Sequence, residues 1–566
     1  MAVQVSRISR TDGPQASAAH GPARARRAPA MPRGWDWPAL ALAALAALPI
    51  IAILVAAPAG GMEALAHMAG SVLPRYVVNT AALMLLTGTL AGVIGVGCAW
   101  LVSAAEFPGR RVLAWALVLP LAVPAYIAAY IYADLLDYAG PVQGALRGLA
   151  GNGGGGVLPD IRSLPGGAFV LGIVLYPYVY LLARAAFAAQ SLGQFRAARS
   201  LGAGPWRAFW RIALPAARPA IAGGLALVLM EVLADFGVAE YFAIPTFSTG
   251  IFRSWLAMGD KQAALKLAAI MLLFVVVLVA LEASTRSGRS ESRDARARAG
   301  TPLVELSPAL KALASLACAL PVLLGFLVPV LHLGGLAATP AALGATRDLA
   351  AYAEDSLWLG LATALACLVA ALLLVFARSR SHSPLVGGAI RLATLGYALP
   401  GALLAVGLLA PLGAFDVELT RFARDRLGYA PGGLLLTGTS LVLVYALSVR
   451  FLTVAYNGID SGMATIPANL DAAARSLGAG PARVLARIHA PLLAPSLAGA
   501  GALVFIDTLR ELPATLILRP FNLETLATRT YRLAGDERLA EASIPALILL
   551  AAGILPVILL HRTASR

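Results

Sequence analysis

Long apolar runs alternate with short polar loops along the whole chain. The runs fall near 38–58, 77–104, 112–134, 167–190, 219–243 and 263–284, and again near 311–333, 354–377, 387–412, 433–456, 495–518 and 543–561. A helix needs about 20 residues to cross a hydrocarbon layer ~30 Å thick. The pattern therefore predicts an all-α polytopic membrane protein with about twelve spanning helices, six in each of two halves. Residues 1–37, rich in Arg, Ala, Pro and Ser, read as a disordered tail. Residues 285–305 carry Arg286, Arg289, Arg293, Arg296 and Arg298 and read as a charged linker. The expected organisation is a tail, a first half over 38–284, this linker, and a second half over 306–566.

Composition agrees with a membrane class. Of 566 residues, 59% are hydrophobic and 13% are charged, where a soluble chain carries about 25% charged residues. The net charge of +15 does not point to nucleic acid, because the basic residues sit in short loops and follow the positive-inside bias. That bias puts the tail, with Arg24, Arg26 and Arg27, in the cytoplasm. The loops at 105–111 and 191–218 then fall inside and the loop at 135–166 outside. Gly153, Gly154, Gly155 and Gly156 in the outer loop read as flexible linker. Arg421, Arg424 and Arg426 fall in a predicted outer loop, against the bias. Cys98, Cys318 and Cys367 all lie in apolar runs and read as small buried side chains.

One polar stretch occurs twice. Residues 199–205 and 475–481 both read Arg-Ser-Leu-Gly-Ala-Gly-Pro, an offset of 475 − 199 = 276. At the same offset Arg207 matches Arg483, Arg211 matches Arg487, Pro215 matches Pro491 and Pro219 matches Pro495. A long-period repeat sets the architecture. Here it predicts two homologous halves, each presenting one basic loop. Glycine supplies a turn and proline opens a new helix, so each loop is expected to be helix–turn–helix. A loop with a fixed internal turn suits docking better than linking.

These loops resemble the pattern Glu-Ala-Ala-x-x-x-Gly, nine residues, Ile-x-Leu-Pro of the membrane subunits of binding-protein-dependent ABC importers. The first copy runs Arg196, Ala197, Ala198, Arg199, Ser200, Leu201, Gly202 and closes on Ile212, Ala213, Leu214, Pro215. The second runs Ala472, Ala473, Ala474, Arg475, Ser476, Leu477, Gly478 and closes on Ile488, His489, Ala490, Pro491. The family's glutamate is replaced by Arg196 and Ala472, with Asp471 just before the latter. Further segments are similar to fused ferric-iron permeases: Pro124-Ala125-Tyr126, Asp134 through Gln143, Glu231 through Gly237, Tyr397 through Gly401, and Arg510 through Thr515. The resemblance implies a duplicated type I importer permease in the bacterial inner membrane. Its loops would couple to two copies of a cytoplasmic ATPase, and a periplasmic binding protein would deliver the cargo. Ferric iron is the cargo implied; related fused permeases for thiamine, phosphonate or polyamines share much of this frame. No Gly-x-x-x-x-Gly-Lys-[Ser/Thr] phosphate loop occurs, and none of Lys261, Lys266 and Lys311 follows a glycine. ATP hydrolysis is therefore assigned to a separate subunit, and no cofactor is expected on this chain.

Four carboxylates fall inside apolar runs. Glu231 and Asp235 are spaced i, i+4, and adding 276 gives Asp507 and Glu511. On one helix such pairs share a face. Ionisable residues at membrane depth are costly and mark function by default. The four are expected to line the translocation path, where hard oxygens suit a hard cation, with Arg510 as a competing neutraliser. Tyr126, Tyr130, Tyr132 and Tyr138, with Asp134 and Asp137, read as an aromatic interface belt, the alternative being a set of phenolate and carboxylate oxygens that meets iron leaving a binding protein. Tyr176, Tyr178 and Tyr180 carry the same two readings. The histidines show no ligand spacing, so no metal site is assigned. A secondary carrier would share the six-plus-six symmetry and is the alternative class, separated from the permease by ATP dependence.

Overall fold

The computed structural model describes residues 36–58, 61–150, 158–189, 204–286, 306–381, 383–429, 433–467 and 469–564. The tail through residue 35, the glycine run at 153–156, the linker residues 287–305 and the first-loop residues 196–202 lie outside this set. The described chain is helical and without strands. Among the described residues, nine single helices are long and apolar enough to cross a membrane, and two bent pairs bring the figure to eleven. The last apolar run forms the helix Leu539–Ala564.

The fold shows the repeat more sharply than the letters do. Helix α1 spans Asp36–Ala56 and α2 spans Leu73–Ala104. After a short helix Arg110–Ala116 and a 3-10 turn at Leu119–Ala122, α3 spans Ala125–Leu136. Then come α4, Leu164–Ala189; α5, Leu214–Ala234; α6, Gly237–Tyr241; and α7, Lys261–Arg286. In the second half α8 runs Pro308–Ala337 through a π turn, α9 Leu349–Arg380, α10 Gly401–Leu427 and α11 Ser440–Met463. They are followed by α12, Asn469–Ser476; α13, Ala494–Arg510; α14, Pro513–Leu518; and α15, Leu539–Ala564. The bounds of α2 and α9 differ by 349 − 73 = 276 and 380 − 104 = 276. The starts of α3 and α10, and of α4 and α11, differ by the same number, as do the ends of α5 and α13.

Each half packs three helices into a core: α2, α4 and α5 in the first, and α9, α11 and α13 in the second. With no hydrophobic drive between helices in lipid, such packing depends on close approach. The first helix of each half leaves this core and serves the other half. Helix α1 lies against α9 and α10 and also against α7 of its own half, and α8 lies against α2, α3 and α4 and also against α15 of its own half. Gly407 of α10 faces the backbone of Pro49 and the side chain of Ile53 in α1. The three cysteines are free and buried, as the apolar runs around them imply.

Four of the apolar runs, at 112–134, 219–243, 387–412 and 495–518, are broken rather than continuous. The run expected at 112–134 bends by 92° between its two parts. Prolines explain the break: Pro120 sits in the 3-10 turn, and Pro124 begins α3, where a missing N–H costs nothing. The run expected at 219–243 likewise ends at Ala234 and restarts at Gly237.

Candidate functional site

The pseudo-symmetric ends of α5 and α13 meet at one cavity of about 390 Å³. Its wall draws on both halves, from Leu121–Tyr126 and α4 in the first to α11, α13 and Gly553 in the second. Glu231, Asp235, Asp507 and Glu511 all line it, with Arg450 and Arg510. The four sequence-predicted path residues are thus brought together.

Their expected geometry needs correcting. Glu231 and Asp235 do not share a helical face. Helix α5 stops at Ala234, and Asp235 is its extended cap residue, with φ −64° and ψ 131°. Glu511 stands in the same relation to α13, with φ −72° and ψ 126°. Each of these carboxylates turns onto the helix that follows. Asp235 accepts from the backbone N–H of Val238 and of Ala239, at 3.4 and 3.0 Å. Glu511 accepts from Ala514 N–H, Thr515 N–H and the Thr515 hydroxyl, at 3.0, 3.0 and 2.9 Å. The first N–H groups of a helix have no internal partner, so both carboxylates do for α6 and α14 what a capping side chain does.

Glu511 also carries an ion pair. Arg450 of α11 donates to it at 3.0 Å, and the two side chains are only 12% and 2% exposed. The sequence pointed to Arg510 as the neutraliser; the carboxylate is in fact met by Arg450. Arg510 lines the same cavity within electrostatic reach of Asp507. The pair is built into its surroundings, since a Cβ on Gly401 would run into both the Glu511 carboxylate and the Arg450 guanidinium. The first half has no equivalent, because 450 − 276 = 174 and residue 174 is valine. Arg450 was not singled out in the sequence, although an arginine in the middle of an apolar run is itself a signal.

The other two carboxylates are less committed. Glu231 accepts one hydrogen bond, from the Tyr397 hydroxyl of the other half at 3.2 Å. Asp507 makes no hydrogen bond among the described residues. Tyr178 of α4 and Tyr126 of α3 complete the oxygen-bearing wall.

The tyrosines do not form a lipid-facing belt. Tyr126, Tyr130 and Tyr132 are buried, because α3 is enclosed rather than peripheral. Tyr130 packs edge-on to Tyr241 at 4.5 Å, and the Tyr132 hydroxyl donates to the carbonyl of Leu324 in the exchanged helix α8 at 2.6 Å. Tyr138 alone of this group is exposed. Tyr176 and Tyr180 are buried, the latter donating to the Ala114 carbonyl at 2.8 Å.

The second basic loop has the expected helix–turn–helix form. Helix α12 contains Ala473, Ala474, Arg475 and Ser476 and ends at Leu477-Gly478. Gly478 has φ +76°, a left-handed conformation that glycine adopts without penalty. The Ala479 N–H then donates back to the Ala474 carbonyl at 3.0 Å, closing the helix end. Leu477 stands 86% exposed at the tip. The chain restarts at Pro481–Val484 and continues through a π turn, Leu485–His489, to Pro491 in the short helix Ala490–Leu492. In the first loop the described part begins at Gly204, and the helix Pro205–Ala208 and π turn Phe209–Ala213 repeat that pattern at 276. Pro215 lies in the first turn of α5.

Both loops are joined to the cavity through helix. Trp206–Ala234 is one run that carries Glu231 near its far end, and Pro481–Leu492 with α13 is a pair bent by 76° that carries Asp507.

Comparison with known proteins gives this arrangement a setting. Residues 88–286 match the family described as the binding-protein-dependent transport system inner membrane component. The chain is 25% identical over 493 residues to the Fe(3+)-transport system permease protein FbpB 2 of Haemophilus influenzae, covering 86% of this chain and 90% of that one. It is 27% identical over 259 residues to the sulfate transport system permease protein CysW of Escherichia coli, which covers 44% of this chain and 87% of the relative. The molybdenum transport system permease protein ModB of Escherichia coli is 29% identical over 148 residues, 26% of this chain and 62% of the relative. One relative therefore matches over most of both lengths, and most of another is matched by less than half of this chain.

Proposed function

We propose, from the premise that this chain is a fused two-half permease of the ABC-importer class, that it carries ferric iron from a periplasmic binding protein into the cytoplasm. The observation that carries this reading is the cavity at the junction of the two repeats, with a helical lever running from each of its free carboxylates to a polar loop. From Trp206 to Glu231 is 25 residues, or ~38 Å at 1.5 Å per residue. At the first loop a displacement is delivered along this rod to the cavity wall, and at the second it passes through the 76° bend that precedes α13.

In this reading the loops 196–215 and 472–491 are the docking handles for two copies of a cytoplasmic ATPase. Exposed Leu477 and the fixed turn at Gly478 provide the shape of the second handle. The basic tail and the linker lie on the same side. The substrate-loaded binding protein docks on the opposite face. ATP-driven closure of the ATPases pulls the handles together, and the halves rock around the cavity so that it opens to one side and then the other.

The cargo follows from charge as well as from likeness. Four carboxylates against two guanidinium groups leave a formal balance of two negative charges on the wall. Such a wall favours a cation and repels an oxyanion. Hard oxygen donors further favour a hard ion. The same frame importing thiamine, a phosphonate or a polyamine is the competing reading.

The test is uptake into proteoliposomes holding the chain, its ATPase and its binding protein. Ferric iron should accumulate only with ATP, and thiamine should not. Gly478→Val forces a branched side chain into the left-handed region and should abolish uptake and weaken co-purification of the ATPase. Uptake driven by an ion gradient alone, without ATP, would refute the permease mechanism.

A further inference from the structure

The four cavity carboxylates divide into two kinds. Asp235 and Glu511 are spent on helix ends, and Glu511 is also paired with Arg450. Glu231 and Asp507 sit one turn earlier, on the helices themselves, and face the cavity from opposite halves. Three phenols line the same space: Tyr126, Tyr178 and Tyr397. Tyr397 reaches across the junction to Glu231. Tyr126 is 6% exposed, and its hydroxyl is buried with no hydrogen-bond partner among the described residues. A buried polar group without a partner is rare and costly. Here it is a donor set on the wall of a cavity of about 390 Å³, where one water needs only ~10–15 Å³.

We propose that Glu231, Asp507 and the phenol oxygens of Tyr126, Tyr178 and Tyr397 form a transit site for a hard trivalent cation, and that Asp235 and Glu511 hold the walls without touching it. The proposal rests on the importer reading for the direction of movement, but the site itself needs neither ATPase nor binding protein. Carboxylate and phenolate oxygens are hard donors. The site is assembled only when the two halves meet, because each contributes one free carboxylate and at least one phenol. Arg510 beside Asp507 keeps the site from being a trap: a conducted ion must bind well enough to enter and poorly enough to leave. A phenol that ligates the ion releases its proton to water, so binding should weaken as pH falls.

Terbium(III), a hard trivalent ion whose luminescence is sensitised by nearby tyrosine, is a direct probe. The full chain, purified in detergent without partners, is titrated with terbium chloride under tyrosine excitation. A saturable signal is expected. Glu231→Gln and Asp507→Asn should each weaken binding on the order of tenfold or more, and the double variant should abolish it. Tyr397→Phe, which removes one oxygen and preserves packing, should lower both affinity and sensitised emission. Asp235→Asn should lower the unfolding midpoint more than it changes terbium affinity. Unchanged terbium binding in a monodisperse Glu231→Gln, Asp507→Asn double variant would overturn the assignment, as would protection of the wild-type chain against unfolding by molybdate but not by terbium. The two readings fail separately. Terbium binding without ATP-driven uptake would remove the importer and leave the site, whereas iron uptake by a double variant that binds no terbium would remove the site and leave the importer.

Discussion

The Arg450–Glu511 pair offers the sharpest energetic test, because the two residues are coupled to each other and only one of them has a second duty. Both side chains are nearly inaccessible, and the nitrogen–oxygen distance is 3.0 Å. Removing one partner of a buried pair costs about 3–5 kcal/mol, most of it from the charge left behind, whereas replacing both by apolar groups is often close to neutral. Arg450→Met should fall at the lower end of that range, because Glu511 keeps two backbone N–H donors and the Thr515 hydroxyl. Glu511→Leu should cost more, since it strands Arg450 and also uncaps α14, a loss of about 0.5–2 kcal/mol. The double variant should be more stable than either single one and should retain only the uncapping loss. The native thiols supply the assay. Cys98, Cys318 and Cys367 are 4%, 0% and 0% exposed, so a thiol-reactive fluorophore reports unfolding directly. If the double variant melts at the temperature expected from adding the single losses, the two side chains do not act as a unit and the reasoning fails.

Two further outcomes follow from the fold. Asp416 is fully buried and accepts from Leu435 N–H, Leu436 N–H, Thr437 N–H and the Thr437 hydroxyl, at 2.8, 2.9, 2.7 and 2.8 Å. Asp416→Ala should release the 433–438 loop at a cost of about 1–3 kcal/mol, seen as faster proteolysis there, and an unchanged cleavage pattern would count against it. Expressing 1–295 and 296–566 as separate chains should give halves that co-purify, because α1 and α8 each pack on the opposite half; halves that purify apart would contradict that exchange.

Much of this fold was legible in the letters because lipid leaves few choices. A spanning segment must satisfy its own backbone, so a run of apolar residues is already a helix. All twelve runs correspond to helical segments, and the 276-residue offset reappears in helix bounds. What periodicity missed was where a run stops being straight. The i, i+4 spacing puts Asp235 and Glu511 on helical faces only if the helix continues. The chain instead turns at each carboxylate, with Gly237 and Pro513 opening the next helix. Arg450 carries no symmetry signal, because the repeat places a valine, Val174, at its counterpart. The exchange of α1 and α8 could not be read at all, since a helix that is apolar on every side does not say which neighbour it will meet. The enclosed tyrosines of α3 suggest a belt for a related reason: burial inside a bundle and burial at a lipid boundary look alike in sequence.

The exchange of α1 has a consequence for how the protein is made. Its partner α10 begins at Gly401, and 401 − 56 = 345 residues separate the two. At synthesis rates of about 5–20 residues per second, α1 waits roughly 17–69 s in the bilayer before that surface exists. During the wait Ala39, Ala43, Ala46 and Ile53, all buried in the finished protein, face fatty acyl chains. A helix with a polar stripe would be penalised throughout this interval or would bind the wrong neighbour. The unbroken greasiness of α1, with its one acid, Asp36, at the very start, thus suits a segment that must be at home in lipid first and in protein later.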